Sequence, residues 1–180
     1  MNQTIVQTVF ENNIIPELTV ALPVYNSKNI AWIAIESLCE QINIDFNWEL
    51  IVYEEKHAQS VFPELIDLYI EKLKSVNCSR IIYITNNEKV SLVEKWIEIG
   101  KNVSDTSKCF LLQAADCYSP KTRLKISYEK IVNEDYDWYD QTKGYFYSFI
   151  SDRVILYDYK GFTNLNMSLK TEYIKTLPFS

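Results

Sequence analysis

Residues 17–41, ELTVALPVYNSKNIAWIAIESLCEQ, constrain the fold more than any other stretch of the chain. Residues 18–22 (LTVAL) form a short apolar run rich in β-formers and closed by Pro23, the pattern of a strand buried on both faces. Pro23-Val24-Tyr25-Asn26-Ser27 reads as a turn, because proline fixes φ and removes a donor while Asn and Ser offer side-chain caps. Ile30, Ile33, Ala34, Ser37 and Leu38 then fall at i, i+3, i+4, i+7 and i+8, one face of a helix. Strand, tight polar turn and helix open an α/β sheet. Ligands of such sheets bind outside the carboxyl ends of the strands, so residues 23–27 stand where a ligand would be.

The following segments repeat that unit. Residues 49–53 predict a second strand ending in Glu54 and Glu55, and Phe62, Ile66, Tyr69, Ile70 and Leu73 mark a second helix with Pro63 in its first turn. Residues 80–85 (RIIYIT) predict a third strand. Ser91 is placed to cap a third helix, on which Val93, Trp96, Ile97 and Gly100 share a face, and residues 108–113 (KCFLLQ) predict a fourth strand. The order β-α-β-α-β-α-β with short connections implies a mostly parallel sheet with helices on both faces. Beyond it the pattern changes. Pro120 opens a helix carrying Leu124, Tyr128, Ile131 and Val132; residues 135–143 form an acidic, aromatic loop; residues 145–150 and 154–159 predict an antiparallel hairpin; residues 166–177 predict a last helix stopped by Pro178. Residues 1–16 are polar and Asn-rich and read as an N-terminal extension packed loosely on one domain spanning residues 1–180.

Composition narrows the chemistry. With 47% hydrophobic and 23% charged residues the chain can build a full core. Its 3 glycines form neither G-x-G-x-x-G nor G-x-x-x-x-G-K, so any phosphate must be held by a metal, by Lys or Arg, or by helix N-termini. The net charge of −6 and the absence of a Lys/Arg run exclude a nucleic-acid footprint. Cys39, Cys78, Cys109 and Cys117 are widely spaced and the chain has 1 histidine, which together argue against zinc and for reduced thiols in a cytoplasmic protein. The sequence shows no signal peptide, and its longest apolar run, residues 30–35, is too short for a transmembrane segment.

Three stretches together resemble the family 2 glycosyltransferases, whose fold is called GT-A. The first is LTVALPVYNSKNIAWIAIESLCEQ followed by FNWELIVYEE, similar to the family's strand, P-x-Y-N turn, helix and second strand ending in acids. The second is residues 110–124, FLLQAADCYSPKTRL, similar to the family's strand running into L-D-A-D-D-x-x-x-P-x-R-L. The third is residues 161–179, GFTNLNMSLKTEYIKTLPF, similar to its N-M-S-L helix. The resemblance implies a Rossmann-like GT-A sheet with a C-terminal antiparallel hairpin. It also implies an inverting transfer of sugar from a nucleotide-sugar, UDP-linked in this reading, to the hydroxyl of a glycan or other acceptor. The family's carboxylates hold the ribose and a divalent cation, Mn²⁺ or Mg²⁺, that neutralises the leaving diphosphate. Here the acidic motif is degenerate: aligned on Pro120 and Leu124 it reads Gln113-Ala114-Ala115-Asp116, with only the last acid kept.

On the resemblance, Pro23, Tyr25, Asn26, Glu54, Glu55 and Gln113 bind the nucleotide-sugar and Asp116 is the metal ligand. Tyr25 would stack on the base, and the glutamates would accept from a base N–H. Each position has a structural alternative. Tyr25 can cover the core, Glu54 and Glu55 can sit in a solvated loop, Gln113 can end a strand, and Asp116 can cap the turn before Pro120. Lys95 reads as an exposed helix lysine in preference to a phosphate contact, and His57 as a loop residue. Asp137 and Asp140, inside DYDWYDQTKGYFYSF, are candidates for contacting the donor sugar or the acceptor, against the alternative of acids facing water. The general base, which in the family follows the last helix, is unassigned in a sequence running to Ser180. Three readings remain open: an active glycosyltransferase; a catalytically inactive or truncated GT-A-like module that binds nucleotide or sugar; and an unrelated doubly wound binding domain, which the periodicity alone would permit.

Overall fold

The computed structural model describes residues 4–27, 29–55, 62–141, 143–148, 150–158 and 167–176. Its centre is a seven-stranded sheet in the order β1-β4-β3-β2-β5-β9-β6. The middle of that sheet is built from β2 (Leu18–Val24), β3 (Trp48–Glu55), β4 (Cys78–Asn86) and β5 (Cys109–Leu112), all mutually parallel. Helices α1 (Ala31–Cys39), α2 (Phe62–Ser75) and α3 (Leu92–Gly100) connect them. The alternating pattern of the sequence is thus a parallel βαβ sheet.

Each strand sorts its side chains by parity, and both faces are covered. Leu18, Val20, Leu22 and Val24 join Leu50, Val52, Ile81 and Leu111 under α1 and α2. Ala21, Ile51, Tyr53, Ile82 and Phe110 point the other way, against Ile99 of α3 and Leu169 and Ile174 near the C-terminus. Burial on two faces makes β3 inaccessible along its whole length, as expected of a central parallel strand. Even Glu49, fully buried, is accommodated: it accepts from Thr19 Oγ1 at 2.7 Å, from Arg80 Nη1 at 2.7 Å and from the Ser104 amide at 2.9 Å.

Strand order reverses at β2. The chain moves from β2 outward to β3 and β4, then returns to place β5 on the other side of β2. This is a topological switch point, and the loops leaving β2 and β5 at their carboxyl ends diverge there to open a crevice.

Three segments depart from the sequence expectation. The segment expected as a loose extension over residues 1–16 is, in its described part, tied to the sheet: β1 (Ile5–Glu11) pairs antiparallel with β4 along Ile5↔Thr85 to Glu11↔Arg80. Val9 and Phe10 pack on the core, and the pairing covers what would be an open edge of β4. The expected last helix begins as a strand: β9 (Ser168–Lys170) pairs antiparallel with β5 and only then does α5 (Thr171–Lys175) start. Leu169 thereby enters the core, and β5 gains a neighbour on its free side. Within the acidic loop, β6 (Trp138–Tyr139) pairs with β9. The helix expected from Pro120 is α4 (Arg123–Tyr128), which continues into a π-helical turn over Glu129–Asn133.

The expected hairpin is present. β7 (Lys143–Ser148) and β8 (Arg153–Asp158) pair antiparallel in a sheet of their own, with Asp152 at φ 50° in the left-handed region that a short polar residue tolerates in a tight connection. Among the described residues no helix is long and apolar enough to cross a membrane.

Candidate functional site

At the switch point lies a cleft of about 180 Å³. Pro23, Tyr25 and Ser27 line it from the end of β2, Leu112, Gln113, Ala114, Ala115 and Asp116 from the end of β5, and Leu92 and Trp96 from α3. Four of the sequence-derived candidates, Pro23, Tyr25, Gln113 and Asp116, therefore meet in one cavity. Sites that enclose a whole small-molecule ligand typically measure about 300–1,000 Å³. This cleft has room to enclose part of a nucleotide-sugar, with the rest lying across the open mouth.

The turn after β2 is shaped by local bonding. Ser27 Oγ donates to Tyr25 O at 2.9 Å, and the amides of Ile30 and Ala31 donate to Ser27 O. Asn26 takes φ 47°, a left-handed conformation that asparagine adopts more readily than most residues. Its side chain is exposed and it is absent from the cleft lining, so the backbone alone accounts for the residue type. Tyr25 is 48% exposed, and two ammonium groups address its ring: Lys89 Nζ at 4.7 Å and Lys95 Nζ at 5.4 Å from the centroid.

Beneath this turn the acidic pair at the end of β3 divides between the two faces of the sheet. Glu54 accepts from Tyr83 Oη at 2.8 Å and from the Phe62 amide at 3.4 Å on the α2 side. Glu55 is paired with Lys95 at 2.9 Å and accepts from the Val90 amide at 3.1 Å. Both carboxylates are buried, and neither lines the cleft. The two glutamates, expected to contact the base, stand outside the cleft lining, and the alternative of a solvated loop is corrected too: strand alternation turns one glutamate to each face, and each finds donors there. Lys95 is corrected with them. It is buried, because α3 lies over the strand ends, and its ammonium also donates to Val24 O at 3.0 Å. That helix starts at Ser91 through a reciprocal capping box with Glu94.

On the β5 side Gln113 organises the loop. Its amide nitrogen donates to Ala114 O at 3.0 Å and Cys117 O at 2.7 Å. Its oxygen accepts from Ser119 Oγ and from Arg123 Nη1 at 2.7 Å. Two donors and two acceptor sites are filled, so the side chain braces the loop from within. Arg123 also reaches Ser119 Oγ at 2.8 Å and Leu112 O, and burial depresses its guanidinium to about 10, while the charge of Asp140 acts in the opposite sense. Asp116 is exposed at the cleft, where the Cys117 thiol approaches its Oδ1 at 3.6 Å; burial and the adjacent carboxylate push that thiol up to about 11.

Among the described residues Asp116 is the one carboxylate lining the cleft, and no group of three His, Cys, Asp or Glu side chains is gathered to hold a metal. From these residues a divalent ion would receive one carboxylate and would draw on phosphate oxygens and water for the rest of its shell.

Asp137 stands apart from the cleft. It pairs with Lys170 at 3.1 Å and accepts from Tyr173 Oη at 2.9 Å; Lys170 lies opposite Cys109, the first residue of β5. That is the amino end of the parallel strands, whereas the cleft opens at their carboxyl ends. Asp140, beyond Tyr139, falls on the cleft side and within electrostatic reach of Arg123. His57 lies outside the described residues.

Sequence reasoning passed over Lys89, Leu92, Trp96 and Arg123. Trp96 and Leu92 carry no chemical signature, being ordinary apolar residues of a helix. Lys89 had a positional signal, since it follows the carboxyl end of a parallel strand.

No protein-family model and no curated protein matches the chain. Solved structures do. TarS residues 1–349 from S. aureus in complex with UDP-GlcNAc align with a TM-score of 0.56 at 19% identity, covering 68% of this chain and 33% of that one. The mannosyltransferase PcManGT from Pyrobaculum calidifontis, in complex with GDP-Man and Mn²⁺, gives 0.51 at 15%, covering 76% and 36%. A 4-diphosphocytidyl-2C-methyl-D-erythritol synthase from Anaerococcus prevotii gives 0.57 at 11%, covering 89% and 74%. The fold is thus the GT-A kind, and the chain spans about a third of the length of each of these two transferases.

Proposed function

We propose that the chain is a GT-A domain of the family 2 glycosyltransferase kind that binds a nucleotide-sugar, UDP-linked, in the cleft between β2 and β5 and transfers its sugar to an acceptor hydroxyl with inversion. The observation that carries this reading is the convergence of Pro23, Tyr25, Gln113 and Asp116 on one cleft at the topological switch point. The shared fold supports it without selecting it, since the same fold also serves the cytidyl-erythritol synthase.

In this reading the base lies on Tyr25 and against the backbone after Pro23. Glu54, Glu55 and Lys95 act from below, fixing the strand ends and the turn. Gln113 shapes the loop that carries Asp116. Asp116 would hold Mn²⁺ or Mg²⁺ jointly with the diphosphate and water. The ion supplies neutralisation of the diphosphate as it leaves. Asp140 faces the acceptor side, and the residue that takes the acceptor proton is unassigned.

The second reading is a module that binds nucleotide or sugar without transferring it. The engaged state of Gln113 and the alanine at position 115 favour it, because the loop is internally satisfied with one carboxylate left for metal. Calorimetry with UDP, with and without Mn²⁺, on the natural chain and on Asp116→Ala separates the outcomes. Binding strengthened by Mn²⁺ only when Asp116 is present supports a working donor site. Binding of equal strength under all conditions favours the module. Absence of UDP binding in every condition overturns the transferase reading and the nucleotide-binding form of the module, leaving a sugar-binding scaffold.

A further inference from the structure

We infer that Lys89 is the phosphate-binding cation of the cleft, held in reserve on Tyr25 until a nucleoside diphosphate arrives. The inference rests on the nucleotide-binding reading and adds to it the residue that recognises the phosphates.

The cations around the cleft differ in what already engages them. Lys95 is buried, paired with Glu55 at 2.9 Å and bonded to Val24 O at 3.0 Å. Arg123 is buried, with its Nη atoms bonded to Gln113, Ser119 and the Leu112 carbonyl. Moving either would leave buried acceptors unpaired. Lys89 differs from both. Its side chain is exposed, and among the described residues it forms no ion pair or hydrogen bond; its ammonium rests 4.7 Å from the centre of the Tyr25 ring.

Tyr25 lines the cleft, so that ammonium sits at the cleft's rim. Of the two ammonium groups at the ring, Lys95 is buried and Lys89 is open to solvent. Tyr25 is half-exposed, and its exposed ring is the surface offered to a base. An exposed cation–π contact is weak, whereas a charge-assisted hydrogen bond to phosphate is strong. Lysine's four-carbon stem lets the ammonium leave the ring without moving backbone. Exchange of ring for phosphate thus clears Tyr25 for the base and supplies positive charge at the place where one carboxylate, Asp116, offers little hold on a metal.

The test uses calorimetry in EDTA with UDP and with uridine, on the natural chain, Lys89→Gln and Lys89→Arg. UDP binding by Lys89→Gln should weaken about tenfold, with uridine binding unchanged within about twofold, and Lys89→Arg should stay close to the natural chain. The salt dependence of UDP binding should be shallower for Lys89→Gln. An unchanged UDP affinity in Lys89→Gln overturns the inference while leaving the nucleotide reading intact. So does an equal loss for UDP and uridine, which would make Lys89 a support for Tyr25. Failure of the natural chain to bind UDP in EDTA overturns this inference, and the nucleotide reading falls with it only if UDP also fails to bind in Mn²⁺.

Discussion

Lys95 Nζ and Glu55 Oε1 lie 2.9 Å apart, with side-chain exposures of 5% and 6%, directly under the turn that carries Tyr25. An ion pair withdrawn from water this far is costly to break from one side, because the surviving charge stays buried without the partner that compensated it. Lys95→Met is expected to destabilise the chain by about 3–5 kcal/mol, and Lys95→Met with Glu55→Leu to recover most of that loss. Urea denaturation of the three proteins measures both figures. The double variant also removes the bond to Val24 O, so its UDP affinity, if reduced while stability is restored, reports the pair's role in fixing the turn.

The loop after β5 makes an opposite prediction about metal. Ala115 is 7% exposed and borders the cleft beside Asp116. Ala115→Asp adds a second carboxylate without disturbing the four bonds of Gln113. Mn²⁺ binding in the absence of nucleotide, followed by the electron-spin signal of the free ion, should be undetectable at micromolar levels in the natural chain and appear in the variant. Gln113→Glu should not have this effect, because its carboxylate would be taken by Arg123.

The parallel half of the fold was legible because its signals are local. Residues 18–22, 49–53 and 80–85 are apolar runs ended by turn residues, and strands buried on both faces have that appearance wherever they occur. The carboxyl-end rule placed residues 23–27 where a ligand binds, and the resemblance of residues 110–124 supplied Asp116; both line one cleft. The edges were not legible in the same way. Residues 5–11 and 168–170 are strands because β4 and β5 each had an unpaired side, a fact about neighbours far along the chain. The same holds for Lys95, which reads as an exposed helix lysine, and for Glu55, which reads as a base contact, until α3 is laid over the strand ends. Asp137 and Asp140 are three positions apart in sequence, yet β6 carries them to opposite ends of β9.

Asp137 gives a prediction about pH. The hydrogen bond from Lys170, followed by that from Tyr173, holds its carboxyl below the usual carboxylate range. A carboxyl depressed in the folded state contributes stability that is present above its unfolded value, about 3.9, and lost as the pH falls through the lower folded value. Lys170 works at the other end of the scale. The bonds from Asp135 and Asp137 raise its ammonium, and that contribution is present below the unfolded value, about 10.4, and lost only as the pH rises beyond it. Asp137→Asn should therefore flatten the acid limb of the stability profile below about pH 4 and leave the neutral region little changed, since Asp137 is exposed. UDP affinity should stay within about twofold, because Asp137 lies at the amino end of the sheet. A loss of affinity much beyond that would return Asp137 to the site.

The contact between α3 and α5 leaves no room for a side chain at Gly100. A Cβ built on Gly100 would lie 2.5 Å from Ile174 Cγ2 and 3.4 Å from the Ile174 carbonyl oxygen. Real Cβ atoms do not approach a methyl carbon so closely, so Gly100→Ala must push α5 outward or force Ile174 into another rotamer. Either adjustment disturbs the core formed by Ile99, Ile174 and Leu169. The expected cost is about 1–3 kcal/mol, read as a lowered urea midpoint at constant slope. In an Ile174→Ala background the obstructing methyl is gone, and the same glycine substitution should cost little or stabilise slightly through the better helix propensity of alanine. Equal costs in both backgrounds would mean that α5 does not dock on α3 as described. Unequal costs would place the short C-terminal helix as a packed part of the core, holding β9 against the free edge of β5 and with it the strand that leads into the cleft.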